Sequence, residues 1–138
     1  MTYYAVIDTN VLVSSLLSNH KDSATVLLIS RMISGDFIPV YSREIMKEYK
    51  EVLSRKKFSF NSERITYLLA AIEHFGLLIE PAPTGELLPD LKDLPFYDVV
   101  MEKRQTDDAW LVTGNQQHFP VRPFIVTPRE MLEILEAV

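Results

Sequence analysis

Apolar residues along this chain come in short runs whose period changes from one run to the next. Residues 3–7 are apolar without alternation, the pattern of a strand covered on both faces. Residues 10–17 predict a short helix, broken by Ser18-Asn19-His20. Asp22 or Ser23 can cap a second helix reaching about residue 34, with Gly35 as its stop. Residues 37–40 read as a short strand that Pro39 places near an edge. Ser42 suits the N-cap of a helix to about residue 54, with Ile45, Tyr49, Val52 and Leu53 as its apolar stripe. A helix over residues 62–75 follows, ended by Gly76, and then a strand over 77–79. Pro81, Pro83, Gly85 and Pro89 make residues 80–94 a loop, and Pro95 opens a helix to about residue 104. Residues 110–113 and 124–126 are the last strands. Thr127-Pro128-Arg129-Glu130 starts a final helix whose stripe is Met131, Leu132, Ile134, Leu135 and Val138. Strands alternating with helices predict an α/β fold: one domain over residues 1–138, with a mainly parallel sheet of about five strands flanked by helices.

Composition narrows the chemistry. The chain has 138 residues, 47% of them hydrophobic, enough for one buried core. Without cysteine there is no disulfide framework and no thiolate metal site, and a cytoplasmic setting is compatible with that. Met1 leads directly into a strand, so no signal peptide is expected, and no apolar run approaches a membrane span. The net charge of −5 has the wrong sign for holding nucleic acid by bulk electrostatics. Any such contact requires a local basic patch or a bound cation.

In open α/β sheets, ligands sit outside the carboxyl ends of the strands, and Asp8 stands at such an end. A carboxylate beside a buried strand needs a charge partner, and the partner expected here is a divalent metal. Glu48 falls on the border of its helix's apolar stripe, between Ile45 and Val52, while Glu44 and Glu51 lie further toward solvent. Asp93 sits at a helix N-terminus, and Asn115 follows the strand of residues 110–113. Oxygen ligands without cysteine describe a site for Mg²⁺ or Mn²⁺. Such an ion activates water and stabilises phosphoryl charge, which suits phosphodiester hydrolysis. Against this stand plainer readings: Asp8 or Asp93 as a helix cap, and Glu48 as a solvated glutamate. Asp90, Asp98, Asp107 and Asp108 read as surface or capping acids, His20 and His118 as loop residues, and Met32, Met46 and Met131 as core filling.

These residues resemble the PIN domain family. The resemblance rests on Val6-Ile7-Asp8-Thr9-Asn10-Val11-Leu12-Val13, on Ser42 with Glu48 and Val52-Leu53, on Asp90-x-x-Asp93-x-x-Phe96, and on Trp110-Leu111-Val112-Thr113-Gly114-Asn115. It covers essentially the whole chain and is nearest to toxins of toxin–antitoxin pairs related to VapC. It implies a three-layer α/β/α fold and a metal-dependent endoribonuclease. It also implies Asp8, Glu48 and Asp93 as acids, Asn10 as the polar support of the first, and Thr113 as the hydroxyl before the fourth acid. That fourth position is Asn115 here, one negative charge fewer, which predicts weaker metal binding. Asp98 is the residue that supplies the missing charge if it faces the site. The alternative is a catalytically weak scaffold that binds RNA or a protein partner. A phosphatase of the haloacid-dehalogenase type fits less well, because it needs an acid where Asn10 stands.

For RNA, the candidate guides are Arg55-Lys56-Lys57, Lys103-Arg104, and the stripe Arg43, Lys47 and Lys50, with Tyr97, Trp110 and Phe119 as candidate stacking rings. The family resemblance implies a homodimer and a small antitoxin protein as partners.

Overall fold

The structure, a computed structural model, describes residues 1–137. Its elements alternate along the chain as the pattern predicts. Strand β1 (Tyr4–Ile7) is followed by helices α1 (Thr9–Leu17) and α2 (Ala24–Ile33), strand β2 (Ile38–Tyr41), and helices α3 (Arg43–Leu53) and α4 (Ser62–Phe75). After strand β3 (Leu77–Leu78) come a 3₁₀ turn at Leu91–Asp93, helix α5 (Leu94–Arg104), strand β4 (Ala109–Val112), strand β5 (Ile125–Val126) and helix α6 (Pro128–Glu136). Val138, expected in the last apolar stripe, lies outside the described residues.

The five strands form one parallel sheet in the order β3-β2-β1-β4-β5, flanked by the six helices in three layers. From β1 the chain builds outward to β2 and β3, then crosses to the other side for β4 and β5. The order therefore reverses between β1 and β4, and such a switch point opens a crevice at the carboxyl ends of the two strands. Ile7 pairs with Val112 at the last rung, so the residues that follow each strand, Asp8 and Thr113, emerge side by side.

Strand β2 is one place in from the edge rather than on it, with β1 on one side and β3 on the other. Pro39 is tolerated because of register. The Ile38 N–H donates to the Tyr3 carbonyl and the Tyr41 carbonyl accepts from Ile79, so Pro39 and Tyr41 face the β3 side. There β3 begins only at Leu77, opposite Val40, and the donor that Pro39 lacks has no partner to lose.

Local chemistry sets the helix limits. The Ser42 hydroxyl accepts from Ile45 N–H, and Asn61 caps α4 by accepting from Glu63 and Arg64. Thr127 and Glu130 complete a reciprocal capping box under Pro128. The loop over residues 79–90 is pinned to α5: Ala82 N–H donates to Glu102, and Thr84 donates to Asp98 through both its N–H and its hydroxyl. Ala5, Val6, Leu111 and Val112 are wholly buried, joined by Leu12, Met32, Ile45, Phe96 and Met131. Each large apolar side chain buried this completely contributes roughly 1.5–3 kcal/mol, so the strands that carry Asp8 and Thr113 form the rigid part of the molecule. Among the described residues no helix is long and apolar enough to cross a membrane.

Candidate active site

Asp8 is 5% exposed at the end of β1, and its backbone N–H still donates to the Val112 carbonyl at 2.9 Å. It occupies the N-cap of α1, yet its side chain makes no capping bond, so the capping role is not what holds it. Instead Oδ2 accepts from the Thr113 hydroxyl at 2.8 Å and from Asn10 Nδ2 at 3.2 Å. Both donors are themselves oriented. Asn115 N–H donates to Thr113 Oγ1 at 3.0 Å, and Gly114 N–H donates to Asn10 Oδ1 at 3.2 Å. The turn after β4 thus grips the carboxylate after β1.

Glu48 is half-buried on α3, and Thr9, the first residue of α1, donates its hydroxyl to Glu48 Oε2. Helix α3 is held at this height by Tyr49, whose buried hydroxyl donates to the last carbonyl of β1, Ile7. Burial keeps the Tyr49 proton on, raising its pKa well above the usual phenol value, so the donor is permanent. The Tyr49 ring also meets Phe96 of α5, at 6.2 Å between centroids. Asp93 ends the 3₁₀ turn at the N-cap of α5, again without a side-chain capping bond. Its Oδ2 is buried, lies 3.3 Å from His118 Nδ1, and has no hydrogen-bond partner of good geometry among the described residues.

All three acids are raised, and burial is the largest cause at each. Asp8 is pushed up to about 6, chiefly by burial, with the Asp93 and Glu48 charges adding to it and the Thr113 bond opposing it. Glu48 is raised by burial, opposed by Thr9 and reinforced by Asp93. Asp93 is raised by burial and by Asp90, while His118 pulls it down. Carboxylates from three separate elements therefore share one electrostatic neighbourhood at the switch point. Among the described residues, however, no three acids or histidines are drawn together tightly enough to cage an ion. The donor set, all oxygen with one orphaned buried carboxylate oxygen, fits a hard divalent ion.

The remaining expected residues divide. Asp98 is 9% exposed and is engaged by Thr84; it is not among the charges that act on Asp8, Glu48 or Asp93, so it does not replace the missing acid. Asn115 contributes a backbone N–H to Thr113, a task independent of its side chain. Lys103 and Arg104 are spent at the opposite rim of the sheet. Lys103 pairs with Asp107 at 2.8 Å and lies over the Tyr4 ring, while Arg104 donates to the Ala109 carbonyl and lies over Phe124. Tyr97 and Phe119 are buried, and Trp110 is half-buried against Tyr3, so none offers a free ring beside the acids. Lys47 lines the hollow that holds Glu48, whereas Arg43 and Lys50 line another hollow with Tyr41 and Glu73. The sequence reading missed Thr9 and His118 as site neighbours. Thr9 was within reach as the first helical residue beside Asp8, and His118 as a residue of the turn that follows Asn115.

Comparison with known proteins adds one finding at this point. No curated protein and no solved structure gave a significant match. The model of one family, described as PIN domain, matches residues 4–117, from the first residue of β1 to the turn that carries His118. That span contains every residue described above at the β1–β4 crevice except His118, and on it the chain belongs to the PIN domain family, whose members are generally nucleases.

Proposed function

We propose that this chain is a Mg²⁺- or Mn²⁺-dependent endoribonuclease, the toxin of a cytoplasmic toxin–antitoxin pair, with a small antitoxin protein and a second copy of the chain as partners. The observation that carries the nuclease reading is the gathering of three partly or largely buried carboxylates, Asp8, Glu48 and Asp93, at the sheet's switch point, where burial raises all three and the Asp93 and Glu48 charges add to the rise at Asp8. The toxin and partner assignments rest on the resemblance of the motifs at Asp8, Glu48, Asp93 and Thr113 to VapC-related chains.

A divalent ion would be held by Asp8, Glu48 and Asp93, and when bound it supplies charge for phosphoryl oxygens and lowers the pKa of a bound water. The chain's own groups prepare that site. Thr113 and Asn10 fix the rotation of the Asp8 carboxylate by loading one of its oxygens. Thr9 does the same for Glu48. Tyr49 anchors α3 to β1, so that Glu48 and Asp8 keep a constant offset. Because burial raises Asp8 to about 6, a cation competes there with a proton held more tightly than on an ordinary aspartate, and its binding should strengthen as pH rises through 6.

Asp8→Asn is expected to abolish divalent-dependent cleavage of single-stranded RNA while the far-ultraviolet dichroism stays unchanged. Cleavage at the wild-type rate in that variant rejects the assignment. One residue favours a second reading, a weakly active scaffold that binds RNA or protein: Asn115 stands where the family resemblance expects an acid. Titrating Mn²⁺ into wild type and Asn115→Asp while following cleavage separates the two. On the nuclease reading both chains turn over, and Asn115→Asp saturates at roughly tenfold lower Mn²⁺, one added charge near the ion being worth on the order of 1 kcal/mol. On the scaffold reading only Asn115→Asp turns over.

A further inference from the structure

Two hollows meet at one arginine. The first, about 450 Å³, lies between α3 and the start of α5 and includes Glu48, Lys47, Lys92 and Arg55. The second, about 390 Å³, lies beyond the end of α3 and includes Arg55, Lys56 and Phe60. Arg55 lines both. Its one ion pair, to Glu51 at 3.8 Å, is long and exposed, and such pairs are weak enough to yield to a better anion.

The segment from Arg55 places three cations before two rings: Arg55-Lys56-Lys57-Phe58-Ser59-Phe60. Its turn is defined. Phe58 N–H donates to the Arg55 carbonyl, and Ser59, at a positive φ of 51°, donates its N–H and its hydroxyl to the Lys56 carbonyl. The turn lays the Phe58 and Phe60 rings nearly parallel, 7° apart with centroids at 5.1 Å. Phe60 packs against the core, Phe58 stacks on Phe60, and Lys57 Nζ stands 5.1 Å from the Phe58 centroid. Both rings are half-buried, and Lys57 lies over the Phe58 ring, so a base stacks on Phe58 as the exposed Lys57 side chain swings from the ring to a phosphate. An aromatic platform beside three cations is the arrangement that binds single-stranded nucleic acid, stacking on bases and neutralising phosphates. It is also the kind of local basic patch that a chain of net charge −5 requires.

We infer that a single RNA strand leaves the acid crevice along α3, passes Arg55, and stacks a base on Phe58 while Arg55, Lys56 and Lys57 take its phosphates. The inference rests on the ribonuclease reading for its substrate. Arg55 lies about two helical turns beyond Glu48, on the order of 10 Å, so this loop meets nucleotides beside the scissile phosphate rather than that phosphate itself.

The test is binding, measured apart from cleavage. Fluorescence anisotropy follows a short labelled single-stranded oligoribonucleotide with the full chain in EDTA, over a range of salt concentrations. Phe58→Ala is expected to weaken binding roughly five- to hundredfold, the loss of one base–aromatic stack. Arg55→Gln, Lys56→Gln and Lys57→Gln together should reduce the slope of log K against log salt by about two, at roughly 0.7 per neutralised phosphate. Phe58 lies outside the core cluster, so Phe58→Ala should lose only its stack on Phe60, and a cooperative thermal transition a few degrees below wild type shows the variant folded. Wild-type affinity and slope in both variants, or no binding by wild type, overturns the track. Retained RNA binding with an altered oligomeric mass assigns the loop to a protein contact and also overturns it. If wild type binds RNA, and the variants lose it, while Mn²⁺-dependent cleavage is absent, the track stands and the ribonuclease reading fails. If cleavage is present and the variants bind as wild type does, the reverse holds.

Discussion

At Asp8 the residue's burial and its function pull against each other. An unfolded aspartate titrates near 3.8, and the folded one near 6. Between those values the native state holds more protons than the unfolded chain, so the contribution of Asp8 to stability falls as pH rises through that window. At neutral pH the cost is on the order of 3 kcal/mol. Glu48 and Asp93 are shifted in the same direction and steepen the decline. Thermal unfolding in EDTA should therefore show the melting temperature dropping from about pH 4 to pH 7. Asp8→Asn should be flatter in pH and melt several degrees higher at pH 7. Adding Mn²⁺ at pH 7 should raise the melting temperature of wild type and leave that of Asp8→Asn unchanged. A cation that stabilises both equally binds somewhere other than this crevice.

At the level of elements, the junction of α4 and β3 leaves no room for a side chain. Gly76 sits where α4 turns into β3, and a Cβ there would lie 2.2 Å from the Ile72 carbonyl oxygen and 2.8 Å from that of Pro39. Both obstacles are backbone, so neither can swing away. Gly76→Ala should cost about 1–3 kcal/mol by overpacking, read as a lower denaturant midpoint at unchanged slope. Gly35 differs. A Cβ there meets open space, but its φ of 82° is left-handed, so Gly35→Ala should cost closer to 1 kcal/mol. The contrast separates steric from conformational need at two glycines that both follow helices.

For the molecule as a whole, two of the basic groups do different work. Lys103 and Arg104 brace the strand-start rim through Asp107, Tyr4, Ala109 and Phe124, whereas Arg55, Lys56 and Lys57 lie beyond the helix that carries Glu48. Lys103→Gln with Arg104→Gln should consequently lower the melting temperature by several degrees and leave RNA affinity within twofold of wild type. A large loss of RNA affinity in a folded double variant would place substrate on the wrong rim.

Element order and type were legible in the sequence because they follow from local rules: uninterrupted apolar runs at β1 and β4, caps at Ser42 and Thr127, stops at Gly35 and Gly76. Asp8 was legible for the same reason, since it ends a recognisable strand, whereas Thr113 was named only by the family resemblance. What local rules do not contain is who stands next to whom. That Pro39 sits inside the sheet, that Asp98 turns to Thr84 rather than to the acids, that Thr9 reaches Glu48 and His118 reaches Asp93, were decided by tertiary packing. The physical reason is range: caps and periodicity act over a few residues, whereas the Thr113–Asp8 bond joins positions 105 apart and exists only once the strand order has closed β4 against β1.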